Sequence, residues 1–144
     1  VEVLVEGNLL AMVSRDDLLG TVLPGSGYSL EAFPAYGLRD RTGKVFPVDR
    51  DSLGRTRVWN SAETCLVDHL PFLVDAGVYS LAIDARGRGE DYAREMTAVY
   101  VEALALVASD GYRDHRTVDD YKTRVKQMAR GGITAGYFAR GLLD

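Results

Sequence analysis

The chain has 144 residues, 47% of them hydrophobic and 26% charged, with a net charge of −4. That length suits about one domain with a sizeable core, and the acid excess excludes an overall basic field for nucleic acid, leaving room only for a local basic patch. No apolar run reaches the ~18 residues needed to cross a membrane, no signal peptide is visible, and the lone cysteine, Cys65, excludes an internal disulfide and fits a reducing, cytoplasmic setting.

Val1 to Val5 alternates as a strand does, and Gly7 and Asn8 end it. The chain opens at Val1, without Met and already inside this strand pattern, as a fragment of a longer protein would. Leu9 to Val13 is a second short strand, and Ser14 with Asp17 predicts a single helical turn through Leu19. Glycines and prolines mark Gly20 to Pro34 as loop; its Gly25-Ser26-Gly27 is too short for a dinucleotide fingerprint. Tyr36 to Val48 predicts a β-hairpin turning at Asp40-Arg41-Thr42-Gly43, and Arg55 to Trp59 adds a third strand.

The stretch from Asn60 to Arg88 reads as a helical crossover feeding a buried strand. Asn60 with Glu63 has the spacing of a capping box. Ala62, Leu66, Leu70 and Leu73 recur at helical spacing, and Pro71 predicts either a kink or a second short helix with Pro71 in its first turn. Gly77 supplies the stop, and Val78 to Ile83 is apolar on both sides, as an interior strand is. Tyr92, Met96, Val99, Tyr100, Ala103 and Val107 predict a long amphipathic helix over about 89–108. Gly111 to Arg116 is a charged connector. Thr117 caps a further helix over about 118–130, closed by Gly131-Gly132.

Chemistry-bearing residues are few: two histidines, His69 and His115, and no serine elbow or zinc helix. Cys65 and His69 stand four apart, which on a helix puts both on one face, either as a thiolate–imidazole pair or as a buried Cys beside a structural His. Asp68 would point away from that face. Asp84, Arg86 and Arg88 follow the predicted interior strand, where parallel α/β proteins place ligands, and arginine suits carboxylate or phosphate recognition. Arg39 lies at the hairpin turn. The tail aromatics Tyr137 and Phe138, with Arg140, suit either a contact surface or a core.

The segments LRDRTGKVFPV, NSAETCLVDHLPFLVDAGVYSLAIDARGRGEDY and GGITAGYFARGL together resemble peptidase family U32, the collagenase-like peptidases, from about Glu2 to the end. The resemblance implies an α/β fold, the late part of a TIM-like barrel with an inserted β-hairpin region at about 34–59 and C-terminal helices, whether as a single domain or as the C-terminal fragment of a larger barrel. It implies a peptidase acting on a peptide or macromolecular substrate. The alternatives are an iron–sulfur-dependent RNA or quinone hydroxylation factor of the same family, or a non-catalytic module that binds a partner subunit or the missing N-terminal part. Arg86 falls on the arginine of the family's strand-end motif and Tyr92 on the aromatic that follows. The candidate catalytic residues are thus Asp84, Arg86, His69 and Cys65, and the candidate substrate-binding residues Arg88, Arg39, Asp68 and Tyr92. One thiolate cannot hold a cluster that takes four, so no metal or cofactor is expected of this chain alone.

Overall fold

A computed structural model describes residues 1–26, 36–109, 115–136 and 138, with backbone alone at 115–117. In chain order the elements are β1 (Glu2–Gly7), β2 (Leu10–Ser14), α1 (Leu18–Val22), β3 (Tyr36–Arg39), β4 (Val45–Arg50), β5 (Thr56–Trp59) and β6 (Glu63–Cys65). A 3-10 turn at Val67–His69 then leads to α2 (Leu70–Asp75), β7 (Ser80–Ile83), α3 (Glu90–Ala108), α4 (His115–Met128) and β8 (Ile133–Thr134). They form two compact units, Val1–Gly7 with Ala62–Asp144, and Asn8–Ser61.

The first unit carries a four-stranded sheet in the order β7-β1-β6-β8. β1 is parallel to β7 and antiparallel to β6, and β6 is parallel to β8. Its core joins Val5 of β1 and Leu66, Val67, Leu70 and Leu73 to Met96, Val99 and Ala103 of α3 and Tyr121 and Val125 of α4. Burying this apolar set is what holds α3 and α4 on the sheet, at roughly 2 kcal/mol for each fully buried large side chain.

The second unit is an antiparallel sheet in the order β2-β5-β4-β3. The predicted hairpin is β3–β4. In its turn the Asp40 carboxylate accepts from the Thr42 and Lys44 backbone N–H groups at 2.8 and 2.9 Å, and Gly43 takes φ +86°. Asp17 caps α1 by accepting from Gly20 N–H, so that helix starts after Asp17 and not after Ser14.

The barrel expectation is overturned. Among the described residues the two sheets are open, each ending in edge strands, and β1–β6 is an antiparallel pair, which a parallel barrel does not contain. For the same reason Val78 to Ile83 is not interior: β7 is an edge strand and its four residues are half-buried.

The predicted helix from Asn60 is also corrected. Glu63 to Cys65 is a strand, paired with Gly7 and Glu6 on one side and with Ile133 and Thr134 on the other. Strand pairing on both edges outweighs a helical spacing carried by few residues. Asn60 caps no helix; its side-chain oxygen accepts from Ser61 N–H. Helix begins only at Leu70, with Pro71 in its first turn, where a missing N–H is harmless. Thr117 lies inside α4 and does not cap it. The predicted connector through Asp114, the Gly27 to Pro34 part of the loop, Tyr137 and Arg140 lie outside the described residues.

Candidate functional site

The site is built around a bulge. Along β1, Glu2 and Leu4 alternate with Val3 and Val5, so strict alternation would place Glu6 with Glu2 and Leu4. Instead the register slips between Leu4 and Glu6: Leu4 pairs with Ala82 and Glu6 with Ile83, so one residue of β7 faces two of β1. Val5 and Glu6 are both fully buried, and Glu6 meets the tyrosines of α3. Gly7 follows at φ +125°, a conformation glycine tolerates, and a Cβ there would lie 2.7 Å from the Asp84 carbonyl oxygen.

Glu6 and Glu63 are two buried carboxyls that share the Tyr92 hydroxyl, and the Arg88 guanidinium pairs with Glu63. Glu63 is 1% exposed and makes an ion pair with Arg88, whose side chain also donates to the Met128 carbonyl. The Arg130 backbone N–H donates to Glu63 at 3.1 Å, and the Arg88 guanidinium lies 3.9 Å from the centre of the Tyr92 ring. The Tyr92 hydroxyl stands 3.4 Å from both Glu6 and Glu63. Burial, with the Glu63 charge adding to it, raises the Glu6 carboxyl to about 7. Burial also drives the Tyr92 and Tyr100 hydroxyls far above their usual range.

Three predicted residues join this network. Tyr92 bridges the carboxyls, and Arg88 is its cation. Cys65 sits on β6 with its sulfur 3.9 Å from the Tyr100 hydroxyl; burial pushes its thiol up to about 12. A thiol so raised is protonated and a poor nucleophile near neutral pH.

Asp84 and Arg86 stand apart from it at the carboxyl ends of the parallel strands β1 and β7. Asp84 holds Arg86 through Nε at 2.8 Å and Nη2 at 2.6 Å, and this pairing draws the Asp84 carboxyl below its usual value. The Arg86 side chain is 84% exposed beside a concavity of about 530 Å3 lined by Leu4, Ala82, Ile83, Asp84, Ala85 and Arg86. The fork spends two of the five guanidinium N–H donors on Asp84 and leaves the Nη1 edge unspent among the described residues.

The remaining predicted residues do not converge. The His69 ring packs 5.0 Å from Phe138, and among the described residues no hydrogen bond joins it to Cys65. Loss of the helix at Cys65 removes the geometry that would have paired them. Asp68 forms an ion pair with Lys122 at 2.8 Å, and Arg39 is on β3 of the other unit. Glu6, Glu63 and Tyr100 escape sequence reasoning. The available signal was two acids embedded in apolar strands, a placement that demands a buried partner.

The strand ends carry a preset arginine beside a concavity, and the same unit holds a buried acid–tyrosine network, which makes this an α/β protein with a candidate site at its strand termini. The chain belongs to peptidase family U32, whose sequence profile covers residues 1–141. It is similar to tRNA hydroxylation protein P2 of Bacillus subtilis (strain 168), 28% identical over 102 residues, covering 69% of this chain and 32% of that protein. The chain thus spans about a third of the length of this curated relative. No solved structure matches it significantly.

An iron–sulfur cluster does not fit this chain alone. Cys65 is its one cysteine, it is buried against Tyr100 and Glu6, and among the described residues no group of three or more His, Cys, Asp or Glu is placed to hold a metal. No helix among the described residues is long and apolar enough to cross a membrane.

Proposed function

We propose that this chain is part of an enzyme of family U32 that acts on RNA, and that Arg86 is a substrate-binding residue for a phosphate. The observation that carries the reading is the Asp84–Arg86 fork: a guanidinium preset in direction, with donors left over, beside an apolar concavity. A phosphate suits the donors, and a ribose or base suits the floor of Leu4 and Ala82. The likeness to a protein named for tRNA hydroxylation supports the same substrate class. Peptide hydrolysis by a Cys65–His69 pair finds less support, because Cys65 is protonated and His69 packs on Phe138.

The test is filter retention of tRNA by the protein, wild type against Arg86→Ala. Retention is expected to weaken, and the slope of log affinity against log salt to flatten by about one, while the thermal midpoint stays unchanged. Equal retention would remove Arg86 from the site. Failure to retain any tRNA, together with cleavage of a gelatin substrate, would replace the RNA reading with the peptidase one.

A further inference from the structure

The sheet β2-β5-β4-β3 has one buried and one open face. Directly paired residues share a face, so Val58 with Val48, and Thr56, mark the buried side, at 6%, 5% and 1% exposure. Arg57, opposite Asp49, and Trp59 two residues on mark the other. There the Asp49 carboxylate accepts from Arg57 Nη2 at 2.9 Å and from Trp59 Nε1 at 3.0 Å, and the Arg57 guanidinium lies 5.4 Å from the indole centre. The edge of the indole is therefore held in place. On the same face Pro47 pairs with Gly37, over which the Val45 side chain lies. A Cβ at Gly37 would meet Val45 Cγ1 at 2.4 Å.

The hairpin beside this face is basic and exposed. Arg39, Arg41 and Lys44 enter none of the ion pairs of the described residues, whereas Asp40 turns its carboxylate inward to the turn. Residues Asn8–Ser61 hold seven basic and six acidic side chains, against ten and fifteen in the rest of the chain, so the acid excess lies wholly outside this unit.

We infer that this open face binds an unpaired stretch of RNA, with a base stacked on Trp59 and backbone phosphates at Arg39, Arg41 and Lys44. The inference rests on the RNA reading above and adds to it a second surface. A fixed aromatic receives a base, and cations spread along a hairpin receive successive phosphates. An acidic peptide would use the cations but gain nothing from the indole.

Trp59 is the chain's one tryptophan, so its emission reports on this face alone. Titration of the chain with a short oligouridylate is expected to quench that emission saturably, less so as salt rises, and about tenfold more weakly in the double variant Arg39→Glu/Lys44→Glu. Circular dichroism and thermal midpoint should match wild type in that variant. Retention of tRNA with Trp59 emission unmoved would overturn this surface and leave the RNA reading standing. Equal quenching by polyglutamate would show a general anion or acidic-peptide site and overturn it too. A chain that binds no RNA by either measurement would overturn both.

Discussion

The Tyr100 hydroxyl oxygen lies 2.7 Å from the Val5 carbonyl oxygen and 3.1 Å from Glu6 Oε2. A carbonyl cannot donate, so the single tyrosine proton belongs to Val5. The Leu66 N–H also points at the Tyr100 oxygen, at 3.2 Å. The contact with Glu6 is then a hydrogen bond only if Glu6 brings its own proton. Hydrogen-bond counting thus reaches the same state as burial, which keeps Glu6 protonated while Arg88 pairs with Glu63.

Stability should therefore fall as the pH rises. The folded Glu6 carboxyl is raised to about 7 from 4.5, so the folded state holds a proton that the unfolded state has released between those values. Its contribution is fully present below about 4.5 and is lost as the pH climbs through about 7. Glu63, Cys65, Tyr92 and Tyr100 face this group, with Arg88 beyond Glu63 as the nearby cation among the described residues. Urea unfolding from pH 5 to pH 8 should lose on the order of 3 kcal/mol through this group. Glu6→Gln, which stays neutral throughout, should flatten that slope. An unchanged slope would show that Glu6 is ionised in the fold.

Arg88 should be far more costly to remove than Arg86, although both follow the same strand. Arg88→Ala leaves Glu63 buried without its cation, a loss of about 3–5 kcal/mol. Glu63→Gln in the same chain should relieve part of it, so the two substitutions will not add. A double-mutant cycle by urea unfolding measures the coupling. Additive effects would show that the ion pair contributes nothing.

Much of this arrangement could be read before any coordinates. The strands of the hairpin unit, α3 with its buried stripe and the helix start at Pro71 all follow from local rules, because turn residues and long periodic stripes act over a few neighbours. What escaped was decided by distant pairing. Glu63 has capping-box spacing after Asn60, yet it pairs with Ile133 of β8, and β1 pairs with the two residues that follow it. Glu6 is buried by a bulge, which the alternation of VEVLVEG does not announce. Of the predicted site, Tyr92 and Arg88 meet because a 19-residue helix follows the strand-end loop directly. Cys65 and His69 do not pair, because their proximity assumed a helix that sheet pairing forbids.

Cys65 should resist alkylation in the folded chain. Its thiol is buried beside Tyr100 and Glu6 and pushed up to about 12, so thiolate is scarce at ordinary pH. Iodoacetamide at pH 8 should label it slowly in buffer and readily in urea, with the ratio read by mass spectrometry. Rapid labelling without denaturant would restore Cys65 as a candidate nucleophile.

Gly7 should be the least replaceable glycine among the described residues of the first unit. At φ +125° a side chain is strained, at a cost of about 1–3 kcal/mol, and the Asp84 carbonyl and Cβ leave no room, standing 2.7 and 2.8 Å from the added carbon. Both obstacles are close to backbone, so relief requires β1 and the end of β7 to part. That movement would shift Asp84, and with it the direction of Arg86. Gly7→Ala is thus expected to lower the urea midpoint and also weaken tRNA retention, whereas Gly87→Ala, at φ +70° with nothing within 4 Å, meets backbone strain alone and should cost less. Equal losses at the two positions would show that the close approach of Gly7 to Asp84 does not constrain the strand end.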